Sequence, residues 1–177
     1  MSRLVVVLAT PPLATTGERT RARARMAAEI IGAEAAELVN LLSIPTADVN
    51  GIATVGQEAH SWLSSRPRLH SAVMAADQVL YAWGIAEPSG PARSHHRDQV
   101  RWLLQLVQAR GAREWMVGGA PRHPSRWQRY TARMRPGVPF AQALRSTLLP
   151  LDPNECSVYS ENAGEKRSAK QPTRPVE

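Results

Sequence analysis

Cysteine is almost missing from this chain. The single Cys156 excludes an intramolecular disulfide and any cysteine-based zinc cluster, and it lies in a polar region with no partner motif. Lysine is nearly as scarce. Almost all the positive charge behind the net +7 is arginine, which suits bidentate contact with phosphate better than lysine does. No apolar run approaches the roughly 20 residues of a membrane span, and the chain enters Leu4–Leu8 without a signal-peptide pattern. A cytoplasmic protein with no membrane partner is expected. Also missing are the Gly-x-x-x-x-Gly-Lys phosphate loop, the Gly-x-Gly-x-x-Gly nucleotide fingerprint and the Gly-x-Ser-x-Gly nucleophile elbow. His95-His96 reads as a loop pair with no third ligand nearby, so no metal and no other cofactor is expected.

What is present is enough for a core. The chain has 177 residues, 43% of them apolar, which fits one ordinary domain. That domain is expected over residues 1–150, as a monomer, with a polar, flexible tail over 151–177. The excess of arginine makes a nucleic acid the leading partner, the alternative being a basic surface with no such role.

The patterning alternates strand and helix. Apolar runs predict strands at Arg3–Ala9, Glu37–Leu42, Asp77–Trp83 and Glu114–Val117. Helices are expected over Thr20–Ile31, over 56–75 with Pro67 as the place for a break, over Ser94–Arg110 and Pro124–Met134, and as a short last one over 139–149. Loops are expected at Thr46–Thr54 and Pro88–Pro91. The reading is an α/β three-layer sandwich with a central four-stranded parallel sheet between helices. Ligands bind such sheets at the C-terminal ends of the strands. That rule selects Thr10-Pro11-Pro12, Asn40 to Ser43, Trp83-Gly84 and Gly118 to Ser125.

The last of these holds the densest chemistry. Residues 118–130 combine a glycine turn, a proline-flanked histidine, a serine, three arginines and two aromatics with no acidic residue. His123 can stabilise or protonate a leaving group. Ser125 can hold a phosphate where a helix begins, although a helix-capping serine beside a packed histidine fits the same residues. Gly119, Arg122, Arg126, Trp127 and Arg129 are the candidate contacts to a phosphate backbone, with arginines at 122, 126, 129 and 133 in helical spacing. Asn40 can read a base edge through its paired donor and acceptor, or it can end a strand by bonding its own backbone. Leu41 and Ser43 belong to the same strand end. Trp83 can stack on a base beside Gly84, or it can be core. The Thr10 hydroxyl, followed by Pro11 and Pro12, can hold a water or a phosphate. Trp62, Trp102 and Trp115 read as packing residues.

These pieces resemble, in order, a family of small bacterial and phage proteins known only as a domain of unknown function. Its motifs are Asn-Pro-Ser, Val-Asn-Leu, Trp-Gly and Pro-Arg-His-Pro. Here they are Thr10-Pro11-Pro12, Val39-Asn40-Leu41, Trp83-Gly84 and Pro121-Arg122-His123-Pro124, over about residues 3–130. The same plan resembles the uracil-DNA glycosylase superfamily. That resemblance implies a base-reading role for Asn40, a DNA-gripping and leaving-base-stabilising role for His123-Pro124-Ser125, and a water-positioning loop at Thr10. The superfamily's carboxylate or amide in the first motif is replaced by Thr10, and Glu18 and Asp48 are the acidic residues within reach in sequence. The implied function is a DNA glycosylase that flips out a modified or damaged base and cuts its N-glycosidic bond. The altered first motif turns the expectation from plain uracil toward a bulkier base, such as one in phage DNA, and toward repair or antiviral defence. The competing readings are a non-catalytic nucleic-acid-binding module on the same fold and an N-glycosidase acting on free nucleosides or nucleotides.

Overall fold

The computed structural model describes residues 2–151. Of the expected tail, Leu151 is described and is held to the sheet, its N–H donating to the Glu114 carbonyl at 2.9 Å. Cys156 and the other residues of 152–177 lie outside the described residues. Strand β1 (Arg3–Leu8) is buried from Leu4 onward, as a continuous apolar run is when both faces of a strand are covered. Helix α1 (Glu18–Ile31) ends at Gly32, whose φ of 76° lets its N–H reach back to the carbonyls of Ala28 and Glu29. Strand β2 (Ala35–Asn40) then lies parallel to β1, with Asn40 opposite Leu8. Three short helices, α2 (Val49–Val55), α3 (Ala59–Leu63) and α4 (Arg66–Met74), lead to β3 (Gln78–Tyr81). Helix α5 (Pro91–Arg110) leads to β4 (Arg113–Val117). Helices α6 (Pro124–Met134) and α7 (Phe140–Thr147) lead to β5 (Leu148–Pro150).

The sheet order is β2-β1-β3-β4-β5. The first four strands are parallel and β5 runs antiparallel to β4. The α/β architecture with a mostly parallel sheet between helices stands as expected. The sheet has five strands, however, not four. The expected helix over 139–149 stops at Thr147, whose carbonyl accepts the Gly118 N–H at 2.7 Å. Leu148 then turns extended and pairs with Val117. Two helices, α6 and α7, intervene between β4 and β5, and the chain re-enters the sheet at its edge antiparallel to β4.

Other boundaries moved for local reasons. The expected loop over 46–54 contains the start of α2, capped by Asp48, whose Oδ1 accepts the Gly51 N–H at 2.9 Å. The expected helix over 56–75 divides at Ser64-Ser65, and Pro67 sits in the first turn of α4, where its missing N–H costs nothing. Pro91 likewise opens α5, so His95 and His96 are helical rather than looped.

Alternate residues of β1 serve opposite faces. Val5 and Val7 pack with Val39, Val79, Tyr81 and residues of α2–α5, among them Trp62 and Leu103. Leu4, Val6 and Leu8 pack with Leu80, Val117, the small residues Ala24, Ala27 and Ala28 of α1, Trp127 of α6 and Leu144 of α7. Each buried valine or leucine among these contributes about 1.5–3 kcal/mol. The alanines let α1 lie close on the sheet.

Candidate functional site

The connection after β1 crosses by α1 to β2, and the return by α2–α4 reaches β3 on the other side of β1. The chain therefore leaves the ends of β1 and β3 in opposite directions, which opens a crevice there. A cavity of about 1300 Å³ occupies this place. Its wall combines the β1 end and following loop (Leu8, Thr10, Pro11, Pro12), the start of α1 (Gly17 to Arg21) and the segment Thr46 to Val49. It is completed by the loop after β3 (Trp83, Gly84, Ile85), the turn residues Arg122 and His123, and one side of α6 (Ser125, Arg126, Arg129, Tyr130, Arg133).

His123 is the N-cap of α6. Its Nδ1 accepts the backbone N–H of Ser125 at 3.2 Å and lies 2.9 Å from Ser125 Oγ. A backbone N–H only donates, so Nδ1 is unprotonated here and the ring proton sits on Nε2. Burial pushes the imidazole below the ordinary histidine value, and the charges of Arg126 and Arg23 push it the same way. His123 is therefore a neutral N–H donor at physiological pH. The turn that carries it is tied to the end of β3 by the Gly84 N–H, which donates to the Pro121 carbonyl at 2.6 Å.

Arg122 faces the cavity but is engaged inward. Its Nη1 donates to the carbonyls of Val117 (3.0 Å) and Gly118 (3.1 Å), and its guanidinium sits 4.0 Å from the centre of the Tyr130 ring. Gly118 is required beneath this stack. Its φ is 61°, and a Cβ there would run into the Tyr130 hydroxyl. Arg126, Arg129 and Arg133 lie on the cavity side of α6 at helical spacing, and Arg19 and Arg21 face it from α1. None of the five is in an ion pair among the described residues. The N-terminus of α1 opens on the same space with Gly17 as a cap that offers no side chain. Two helix N-termini and a group of arginines favour an anionic ligand.

The Thr10 hydroxyl is 2.7 Å from that of Thr46. Thr46 also donates its N–H to the Pro11 carbonyl at 3.2 Å and pairs with Pro12 in a short parallel bridge. This pairing brings the segment after β2 alongside the loop after β1, and with it Asp48. Glu18 and Asp48 are the carboxylates in the cavity wall. Trp83 is half-buried in that wall and tilts against Tyr81, ring centres 5.0 Å apart.

The structure thus brings Thr10, Pro11, Pro12, Trp83, Gly84, Arg122, His123, Ser125, Arg126 and Arg129 to one cavity. Five other sequence candidates do not line it. Asn40 ends β2 beside Leu8, and its Oδ1 is buried without a hydrogen-bond partner among the described residues. Leu41 is core on the opposite face, with its carbonyl held by Gln99 Nε2 at 3.0 Å. Ser43 is exposed. Gly119 is exposed at the turn. Trp127 is fully buried, and its Nε1 donates to the Arg122 carbonyl at 2.7 Å. Sequence reasoning missed Thr46, Ile85 and Tyr130 as wall residues. Tyr130 had a signal, lying one turn beyond Arg126 on the same helix. Among the described residues, no three of His, Cys, Asp or Glu come together to hold a metal ion, and no helix is long and apolar enough to cross a membrane. No protein-family model, no curated protein and no solved structure matches this chain.

Proposed function

We propose that this protein is a DNA glycosylase, hydrolysing the N-glycosidic bond of a modified or damaged base flipped into the cavity and leaving an abasic site. The observation that carries this reading is the neutral His123, capping α6 in the wall of an arginine-rimmed cavity. Supporting it are a His-Pro-Ser turn at the strand ends of an α/β sandwich, which fits a uracil-DNA glycosylase-like fold, and the cavity's volume. At about 1300 Å³ it exceeds the roughly 300–1000 Å³ of an ordinary small-molecule pocket. A base with a substituent fits together with its sugar and phosphates.

In the reaction, the bond from C1′ to the base nitrogen breaks and its electron pair leaves with the base. The Nε2–H of His123 donates to the anion that forms. Being neutral, the ring offers this hydrogen bond without surrendering a proton. Phosphates held by Arg126, Arg129 and Arg133 place negative charge beside the sugar cation. Water adds to C1′, and its proton passes to a carboxylate of the wall, Glu18 or Asp48, or to solvent. Asn40 reads the base edge only if the base reaches past Leu8 to the end of β2.

The test is an abasic-site assay on ordinary, uracil-containing and phage DNAs with hydroxymethylated or glucosylated bases. Alkali-labile breaks are expected in one class of DNA. His123→Ala should lower the rate about 10²–10³-fold, the usual cost of losing one donor to a developing anion, with the fold intact. No breaks in any DNA, with salt-sensitive binding retained, would assign the chain to the non-catalytic binding module instead. The Thr10 hydroxyl already engaged by Thr46 is the feature that favours that second reading.

A further inference from the structure

We propose that Arg23 of α1 is the positioning residue for His123, clamping the first turn of α6 so that the imidazole presents Nε2–H to the ligand. The inference rests on the glycosylase reading for its rate measurements but not for its spectroscopic ones.

Arg23 Nη1 donates to the Pro124 carbonyl at 2.6 Å, and Nη2 donates to Gln128 Oε1 at 3.0 Å. Its guanidinium lies 5.5 Å from the centre of the Phe140 ring of α7. One arginine thus joins three helices beside the histidine. The other carbonyls of the turn are satisfied from within it. Trp127 Nε1 reaches the Arg122 carbonyl at 2.7 Å, and the Arg126 N–H reaches that of His123 at 2.8 Å. Two bonds arrive from elsewhere in the chain. The Gly84 N–H fixes Pro121, before the histidine, and Arg23 fixes Pro124, after it. Arg23 is the only side chain of that pair, since the Gly84 bond is made by backbone.

The charged group that acts on this half-buried arginine is another cation, Arg19. Arg23 makes no ion pair among the described residues, and burial together with Arg19 lowers its own proton affinity. Protonation of His123 is disfavoured first by burial, then by Arg126, and Arg23 adds to both in the same direction. The same side chain therefore sets the ring's place and helps keep Nδ1 free to accept the Ser125 N–H. Both its amino groups are occupied by protein atoms.

The experiment compares Arg23→Met, which keeps an apolar stem but loses charge and fork, with Arg23→Lys, which keeps the charge alone. Base release and DNA affinity are measured on each, and nitrogen NMR of the full-length protein without DNA reads the His123 tautomer and titration. Arg23→Met is expected to lower kcat about 10²-fold, the cost of a displacement near 1 Å, with Kd for DNA changed less than about threefold. Its His123 should titrate higher and lose its single tautomer. Arg23→Lys should lose rate while titrating close to the parent protein. Should Arg23→Met fail to fold, Gln128→Ala removes one arm of the clamp and leaves the charge, so it should lower kcat and disturb the His123 tautomer while its titration stays close to the parent protein's. An unchanged His123 spectrum and rate in Arg23→Met overturns the proposal, as does a rate loss fully explained by weaker DNA binding. A protein that releases no base but shows the spectral change retains the clamp and loses the glycosylase reading. If neither is seen, both fall.

Discussion

His96 and His123 are both held below the ordinary histidine range by burial, yet they serve different ends. His123 has its Nδ1 satisfied and lines the cavity. His96 sits in α5 with its ring edge-on to Trp62, centres 5.7 Å apart, and its Nδ1 is buried without a partner among the described residues. Burial pushes its pKa down to about 4, with Arg97 acting in the same direction and Glu87 opposing it. The unfolded chain, with an ordinary imidazole near 6.5, therefore binds more protons than the folded one between those values. Stability is full above pH 6.5 and declines as the pH falls toward 4. A shift of this size is worth about 3 kcal/mol at neutral pH, lost once both states are protonated. His96→Leu should flatten that decline in urea unfolding measured at pH 7 and pH 4.5. At pH 7 it should be neutral or stabilising, because it removes a buried polar atom that has no bond. A decline as steep as the parent's would show that another group carries the acid sensitivity. The residue types at both positions were plain in the sequence. The difference between them was not, because it depends on which ring nitrogen meets a donor.

At the level of elements, α6 was the most legible, with its bounds at Pro124 and Met134 both as expected. Proline at the first helical position and a polar residue just before it are strong start signals. Its arginines then divide by function in a way that spacing alone could not show. Arg126, Arg129 and Arg133 face the cavity from the helix. Arg122 precedes it and bonds the carbonyls of Val117, the last residue of β4, and of Gly118 in the turn. Replacing any one of the first three by alanine should lower the slope of log affinity against log salt by about 1, with little change in stability. Arg122→Ala should leave the slope closer to the parent's and cost about 1–3 kcal/mol in unfolding, since two part-buried carbonyls lose a charged donor. Equal slopes for all four variants would remove the distinction. The elements that were misread failed for local reasons. The Asp48 cap of α2 is hidden in a stretch of Pro, Thr, Asn and Gly that reads as loop, and Leu148-Leu149 continues the apolar pattern of α7 beyond the point where the helix stops.

For the molecule as a whole, the alternation of strand and helix was enough to indicate the layers, but not the order of strands. That order decides which loops meet. With β1 between β2 and β3, the loops after β1 and β3 face the His123 turn, and Asn40 stands to one side. The net charge of +7 acts over the same assembled face, where five cavity arginines have no ionic partner among the described residues. A ligand that needs this whole face must stabilise the native state and not the unfolded one. A DNA oligonucleotide at a hundred times its Kd should add about 2.7 kcal/mol, raising Tm by roughly 5–10 °C for a domain of this size. A free nucleoside has no phosphates to engage Arg126, Arg129 and Arg133, so it should move Tm little at the same concentration. Raising salt several-fold should erase the oligonucleotide shift, because released counterions drive this binding. The reverse pattern, a shift with nucleoside that salt leaves intact and none with DNA, would mean that the cavity takes a monomer and that the arginines around it are not its phosphate contacts.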